Sequence, residues 1–286
     1  MTAFSLSLVL VAAVLHATWN LYAKRTGGGL PFVWIAGVVA LVLWTPPAVV
    51  YWWQHPDAIN GKGAVFIVVS GVLHCGYSIF LQRAYRSGDF TLVYPLARGT
   101  GPLISSLCAI AFLGERPSPL ALAGGALIVG SIFFLTGGTR LWQGHPNAKA
   151  IAYGTGCGVF IAAYTVVDQQ GVTVAMVAPL LLDWGGNVTR TVLFAPLALR
   201  RRAELAAVWR DHKPACFAVG LLGPLAYILV LWALTFTPLT HIAPTREVSI
   251  LIGAFIGARL FKEAEGRRRI WAALAMAAGV IALALG

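Results

Sequence analysis

Long apolar runs, separated by short polar segments, dominate the pattern along the chain. Each run holds about 17 to 25 residues, the length that a helix needs to cross roughly 30 Å of hydrocarbon. The segments between them carry turn-forming residues, as in Gly27-Gly28-Gly29 and Pro117-Ser118-Pro119. The pattern predicts an all-α integral membrane protein with ten transmembrane helices. The predicted spans are residues 3–22, 31–53, 64–82, 91–113, 119–136, 150–168, 173–199, 215–235, 239–261 and 269–285.

Composition agrees with a membrane protein and excludes an ordinary soluble domain. Of the 286 residues, 58% are hydrophobic and 11% are charged, whereas a soluble domain carries roughly 25% charged residues. The formal net charge of +11 comes from basic residues in short loops, which argues against a nucleic-acid-binding face. The four cysteines are far apart and predict neither a zinc site nor a disulfide framework. The first run lacks a basic leader segment, so we interpret it as a span and not as a cleaved signal peptide.

The two halves of the chain repeat each other. A shift of 148 positions places residues 16–20 on residues 164–168, and residues 113–115 on residues 261–263. A third match, of residues 94–95 with residues 243–244, needs a shift of 149 positions, one more than the other two. Three matches in the same order across half the chain indicate an internal repeat.

The repeat predicts how the halves enter the membrane. Residues 1–140 form the first predicted five-helix unit and residues 141–286 the second. Because five is an odd number, the second unit must cross the membrane in the opposite sense. Inverted repeats of this kind are typical of secondary transporters, whose substrate site lies near the midplane around a central cavity.

The distribution of lysine and arginine predicts the orientation. Sixteen of these residues lie in the loops after predicted spans 1, 3, 5, 7 and 9 or at the span ends beside those loops, and only Lys62 and Arg116 lie in loops on the other side. The positive-inside bias therefore predicts that both termini lie outside the cell, in a multi-pass protein of the inner (plasma) membrane. The sixteen residues are Lys24, Arg25, Arg83, Arg86, Arg140, Lys149, Arg200, Arg201, Arg202, Arg210, Lys213, Arg259, Lys262, Arg267, Arg268 and Arg269.

A family resemblance rests on two segments. Gly114-Glu115 follows predicted span 4, and the second half carries the run from Pro244 to Glu263, PTREVSILIGAFIGARLFKE. The chain resembles the EamA family of the drug/metabolite transporter (DMT) superfamily, which includes amino-acid exporters of the YddG type. The resemblance implies ten helices around a cavity lined by spans 1, 3, 4, 6, 8 and 9. Glu115 and Glu263 look like signature residues with a solvated or helix-capping role.

Three charged residues near prolines are candidates for the site. Arg98 follows a proline in predicted span 4, and Arg246 and Glu247 follow Pro244 in span 9. An arginine fork in a dry site suits a carboxylate, whereas Glu247 could hold an ammonium or a coupling proton. The structural alternative is an ion pair of Glu247 with Arg98 or Arg246.

The repeat also pairs polar residues of predicted spans 1 and 6. His16 and Asn20 share one helix face, and Tyr164 and Asp168 share the matching face. Two related polar stripes predict a substrate path between the halves, and Trp19 is predicted to shape its pocket. The alternative is interhelical hydrogen bonding.

A third polar stripe lies in predicted span 7. Asp183, Asn187 and Arg190 are spaced to share one face, and the corresponding span 2 has no such stripe. An internal salt bridge of Asp183 with Arg190 is the simpler interpretation. His74, Tyr77, Tyr94 and Tyr227 complete the candidates as further pocket residues, with packing as the alternative. The predicted substrate-binding residues are His16, Trp19, Asn20, His74, Tyr77, Tyr94, Arg98, Tyr164, Asp168, Tyr227, Arg246 and Glu247.

These residues favour export of amino acids, including aromatic or apolar ones, by alternating access. Arg98 or Arg246 would bind the carboxylate, and Glu247 or Asp168 the ammonium. Efflux of lipophilic cations is the alternative, and an intramembrane enzyme or scaffold is less favoured. Motifs for nucleotide binding, metalloproteases and serine hydrolases are absent from the sequence, so no catalysis, cofactor or metal is predicted. A monomer in membrane lipid is expected, with a homodimer through Gly253 and Gly257 as the alternative.

Overall fold

A computed structural model describes residues 1–24, 26, 28–87, 90–136, 148–252 and 266–286, with backbone alone at 24, 85–87, 90–96, 135–136, 150 and 266–269. Within these ranges every regular element is helical. The helices are α1 (Ala3–Lys24), α2 (Leu30–Gln54), α3 (Gly61–Ser87), α4 (Phe90–Phe112), α5 (Pro119–Thr136), α6 (Ala148–Thr173), α7 (Pro179–Leu199), α8 (Arg202–Asp211), α9 (Lys213–Leu234), α10 (Leu239–Arg246) and α11 (Gly266–Leu285), with a short 3₁₀ turn at Pro56–Ala58. The predicted boundary between the halves, at residue 140, lies outside the described residues.

The lengths and apolar composition of the helices indicate a multi-pass membrane protein. Among the described residues, five helices are long and apolar enough to cross a membrane, namely α1, α2, α3, α6 and α9. Helices α5 and α11 contain shorter apolar stretches. Helices α4 and α10 carry the buried Arg98 and Arg246, and α7 carries the half-buried Arg190, which lowers the hydropathy of these helices. Ten spans therefore remain a prediction.

The junction of α6 and α7 differs from its sequence prediction. Span 6 was expected to end at residue 168 and span 7 to begin at 173, but α6 continues to Thr173 and α7 begins at Pro179. Proline suits the first turn of a helix, where no backbone N–H is needed. Met176 adopts a positive φ of 57° in the irregular connection. Apolar residues in this connection made it look like part of a span.

Helix α8 was not predicted and belongs to the loop after α7. Its side chains Leu205 and Val208 pack against a cluster on α2 and α9 that includes Phe32, Val39 and Cys216. The opposite face is exposed and carries arginines. With ten residues it is too short to cross the membrane, and it lies along the bundle as an amphipathic segment.

The helices pack in a network that joins the two proposed halves. Helix α6 packs against α3 and α4, and α9 packs against α1 and α2. Helix α7 contacts both α2 and α3, α10 contacts α4, and α5 packs against α11. The main contacts therefore run between the first five helices and the later ones.

Helices α5 and α11 approach each other through glycines. A Cβ atom added at Gly124 would lie 2.6 Å from the carbonyl oxygen of Gly279, and one added at Gly279 would lie 2.8 Å from the carbonyl oxygen of Gly124. Real Cβ atoms do not approach backbone atoms this closely, so this contact depends on both glycines.

We expect Gly124→Ala to lower the free energy of unfolding by about 1–3 kcal/mol, because the methyl group forces α5 away from α11. The matched control is Gly130→Ala on the same helix, where an added Cβ meets nothing within 4 Å. Thermal unfolding of the purified protein in detergent measures both variants. Equal melting temperatures for the two would contradict the close approach of these helices.

A carboxylate from the first half caps a helix of the second. Glu115 lies in the connection between α4 and α5, and its two oxygens accept hydrogen bonds from the backbone N–H groups of Leu239 at 2.7 Å and Thr240 at 2.9 Å. A carboxylate at a helix N-terminus satisfies free donors and opposes the helix dipole. The helix-capping role expected for Glu115 is therefore present at the start of α10, whereas Glu263 lies outside the described residues.

Candidate functional site

The end of α10 positions two charged side chains in the protein interior. Pro244 removes a backbone donor, α10 ends at Arg246, and Glu247 lies in a turn before the helical residues 248–252. The N–H of Ile250 bonds to the carbonyl oxygen of Glu247 at 2.9 Å, which tightens this turn. Interrupted helices in a membrane occur where they are enclosed by protein or line a cavity. The break therefore places Arg246 and Glu247 among the neighbouring helices.

Arg98, Arg246 and Glu247 form an ion-pair group that we name the positive cluster. Arg98 Nη2 lies 2.9 Å from Glu247 Oε2, and Arg246 Nε lies 3.7 Å from Glu247 Oε1. The Glu247 side chain is 0% exposed, and both arginines are buried. Both ion pairs that the sequence offered as the structural alternative are present. With two guanidinium groups and one carboxylate, this cluster has one excess formal positive charge.

A second group of polar residues surrounds Asp168 on α6. The Tyr227 hydroxyl of α9 donates a hydrogen bond to Asp168 Oδ2. The other carboxylate oxygen, Oδ1, is buried without a hydrogen bond of standard geometry, although the Ser70 hydroxyl lies near the carboxylate. His74 Nδ1 lies 2.9 Å from the Ser70 carbonyl oxygen, so Nδ1 carries the proton in that hydrogen bond. Helices α3, α6 and α9 thus converge on one carboxylate.

These residues line a small cavity. Its volume is about 10 Å³, roughly the space that one water molecule needs. Two carboxylates and one guanidinium reach it, and we name Asp168, Asp183 and Arg190 the acidic cluster, which has one excess formal negative charge. The lining consists of Ser70, His74, Asp168, Leu182, Asp183, Gly186, Arg190 and Tyr227.

The expected salt bridge within α7 is wrong. Asp183 takes part in none of the ion pairs within 4.0 Å among the described residues. Arg190 Nη2 instead donates to Asn187 Oδ1 at 3.3 Å, and Asn187 donates to the carbonyl oxygen of Gly37 on α2 at 3.1 Å. Asp183 and Arg190 both reach the same cavity without forming a direct pair. Within this stripe, Asn187 therefore contacts α2, while Asp183 and Arg190 line the cavity.

Aromatic rings of α3, α6 and α9 pack around Tyr164. The rings of His74 and Tyr164 stack with centroids 3.9 Å apart, and Tyr77 and Tyr227 approach Tyr164 edge-on at 6.1 and 6.3 Å. The Arg246 guanidinium interacts electrostatically with Tyr164 and Tyr227. Four of the predicted residues thus form one wall that extends from the acidic cluster toward the positive cluster. Buried aromatic pairs of this geometry are also favourable for packing.

The α1 candidates divide into interior and exposed positions. The rings of His16 and Trp19 meet edge-on at 4.8 Å, and His16 interacts electrostatically with Arg98 and Arg246. The Trp19 indole N–H is buried and has no hydrogen-bond partner among the described residues. Asn20 is exposed and donates to the His16 carbonyl oxygen at 2.7 Å within its own helix. Asn20 is therefore directed away from the interior.

Sequence reasoning missed several residues that line the cavity. One residue that it predicted, by contrast, has a side chain that the structure does not describe. Ser70 lies one helical turn before His74 on the same face of α3, a spacing that could have indicated it. Asp183 and Arg190 were recognised as intramembrane charges but not included in the predicted site. Tyr94 lies on α4, and its side chain is outside the described part of the chain.

Comparisons with known proteins find a family that resembles the first part of the chain. Residues 3–137 match the profile of the EamA-like transporter family. No curated protein matches the sequence significantly. A solved crystal structure of another protein has a TM-score of 0.77 with 17% sequence identity, and the match covers 100% of this chain and 98% of that chain. At this identity the likeness shows a shared fold alone. The first part of the chain, residues 3–137, is thus similar to the EamA-like transporter family.

Proposed function

We propose that the chain is a secondary transporter that exports amino acids or related zwitterionic metabolites by alternating access. The observation that carries this proposal is the pairing of two oppositely charged clusters through one aromatic wall. A zwitterion presents a carboxylate and an ammonium a few ångströms apart. The positive cluster suits the carboxylate and the acidic cluster suits the ammonium.

The chemistry of each cluster supports its assignment. Arg246 lies 3.7 Å from Glu247, a distance that leaves its guanidinium short of full hydrogen bonding with that carboxylate. A guanidinium fork binds a second carboxylate through two parallel hydrogen bonds. Asp168 Oδ1, which lacks a well-formed hydrogen bond, faces a polar cavity and would accept from an ammonium group. Arg246 also interacts electrostatically with Asp168, which supports one site spanning both clusters.

The candidate site draws residues from both proposed halves of the chain, which supports alternating access. Arg98 comes from the first proposed half and pairs with Glu247 of the second. His74 likewise comes from the first half and stacks on Tyr164 of the second. A site shared by two units opens to either side when the units rock against each other. Helix α3 of the first half packs on α6 of the second, and α1 of the first half packs on α9 of the second. This reciprocal packing supports the proposed inverted relation.

Exchange across proteoliposomes tests the zwitterion proposal. Vesicles with the purified chain are loaded with unlabelled phenylalanine, leucine and threonine, and uptake of each labelled amino acid is measured. Phenethylamine and 3-phenylpropanoate are the matched probes, since each keeps the phenyl ring and lacks one charged group. We expect saturable exchange of at least one amino acid, with both probes slower by about tenfold or more because each leaves one buried cluster unpaired. No saturable exchange of any amino acid would contradict the cargo.

Efflux of lipophilic cations is the second candidate, favoured by the aromatic wall. Rings such as Tyr164 and Tyr227 attract cations through their faces. Rapid transport of tetraphenylphosphonium, with no amino-acid exchange and no effect of Arg98→Ala on transport, would select this candidate. A non-transporting enzyme or scaffold would show neither flux.

A further inference from the structure

We infer that the lipid-facing surface formed by α2, α8 and α9 is a binding site for one anionic phospholipid. An acyl chain would lie in an apolar groove, and the phosphate would lie near Lys213, within the field of the basic residues of α8. This site is separate from the charged clusters in the interior and does not depend on what the protein transports.

The groove is shaped for hydrocarbon. Its volume is about 430 Å³, and every residue that lines it is apolar or aromatic. On α2 the lining residues Trp34 and Val42 are eight positions apart, which corresponds to a length of about 12 Å along the helix. Such a groove accommodates an extended part of an acyl chain. Further lining residues are Val38, Leu205, Trp209 and Phe217.

Helix α8 closes one side of the groove and fixes its depth in the membrane. Leu205 and Val208 hold the helix against the bundle, while Trp209 is 40% exposed and contacts Phe217 at 6.0 Å between ring centroids. The helix lies between the C-terminus of α7 and the N-terminus of α9. An amphipathic helix with a tryptophan at this position lies at the boundary of hydrocarbon and headgroups.

The rim of the groove carries an excess of positive charge. The ammonium of Lys213 lies 5.7 Å from the centroid of the Trp209 ring, which itself lines the groove. Residues 200–213 contain five lysines and arginines against two acidic residues. Arg201 pairs with Glu204 at 3.7 Å, and Arg210 pairs with Asp211 at 2.8 Å.

Three of these cations have no acidic partner in the described structure. Arg200, Arg202 and Lys213 are exposed and take part in none of the ion pairs within 4.0 Å among the described residues. The Arg210 guanidinium lowers the pKa of Asp211 through two hydrogen bonds, so that pair stays ionised near neutral pH. Charge complementarity therefore favours a lipid with a net negative headgroup over a zwitterionic one.

Native mass spectrometry of the full chain tests the site. The detergent-purified protein is titrated with phosphatidylglycerol or with phosphatidylcholine of identical acyl chains. We expect the wild type to retain phosphatidylglycerol preferentially. The double variant Arg202→Gln/Lys213→Gln should reduce this retention by roughly tenfold or more, since each basic residue near an anionic headgroup contributes to binding. The matched control Lys62→Gln/Arg116→Gln removes two exposed cations elsewhere and should retain the lipid.

A second variant tests the groove itself. Ala206 is exposed and lines the groove, so Ala206→Trp should fill it and displace the acyl chain without disturbing the interior. Loss of bound phosphatidylglycerol in this variant would support the proposal. Equal retention of the two lipids by the wild type, or unchanged retention in Arg202→Gln/Lys213→Gln, would overturn it. A dimer that disappears in Ala206→Trp would assign the groove to a second copy of the chain and would also overturn it.

Discussion

Replacing Glu247 with glutamine is expected to lower the free energy of unfolding by about 3–5 kcal/mol, the range for breaking a buried ion pair by removing one partner. The carboxylate is fully buried between Arg98, at 2.9 Å, and Arg246, at 3.7 Å. Glutamine keeps the size of the side chain and removes its charge, so two guanidinium groups would face each other without compensation. Thermal or denaturant unfolding in detergent, followed by circular dichroism, measures the change.

Two further variants test whether the loss of stability in Glu247→Gln comes from the uncompensated buried charge. Glu204→Gln removes an exposed carboxylate that pairs at 3.7 Å, and it should change stability by less than about 0.5 kcal/mol. The double variant Arg98→Gln/Glu247→Gln restores the excess of one positive charge and should recover part of the lost stability. If Glu247→Gln unfolds like Glu204→Gln, the positive cluster is not held by this carboxylate.

Asp168→Asn is expected to slow amino-acid exchange by about a hundredfold while the fold is retained. The asparagine oxygen can still accept the hydrogen bond that Tyr227 donates, but the negative charge that would balance the substrate ammonium is lost. A hydrogen bond to a charged group contributes about 1.5–3 kcal/mol, which corresponds to roughly 10- to 150-fold. Proteoliposome exchange measures the rate, and the melting temperature without substrate confirms folding.

Tyr227→Phe is the control for this second result. It removes the hydroxyl and leaves the Asp168 carboxylate charged, so exchange should fall less than in Asp168→Asn. Substrate should also raise the melting temperature of Tyr227→Phe but not of Asp168→Asn, because ligand binding stabilises the folded state. Wild-type exchange in Asp168→Asn would exclude this carboxylate from the substrate site.

Sequence reasoning identified the charged residues but not all of their partners. An ion pair of Glu247 with Arg98 or Arg246 was the structural alternative, since intramembrane charges need partners, and the structure contains both pairs. The absence of a direct pair between Asp183 and Arg190 was missed because Arg190 hydrogen-bonds to Asn187 instead. Which helices surround α7 depends on packing across the bundle, and no local pattern contains that information.

The helix boundaries were likewise only partly predictable from the sequence. Runs of apolar residues located the helices, since the length of a span is set by the bilayer. The end of α6 and the start of α7 were misplaced because the connection between them is itself apolar. Helix α8 was missed because its ten residues include charges typical of a loop. Only its packing on α2 and α9 shows why it folds as a helix.

The ion pair of Arg98 with Glu247 has a consequence for biosynthesis. An arginine at the centre of a helix opposes insertion by about 2.5–3.5 kcal/mol, and its partner lies 149 residues later in the chain. At about 5–20 residues per second, ribosomes synthesise Glu247 roughly 7–30 s after Arg98. Throughout that interval α4 lacks the Glu247 carboxylate that pairs with its arginine in the folded protein. The ion pair that holds Arg98 at 2.9 Å from Glu247 therefore forms late, after most of the chain has been synthesised.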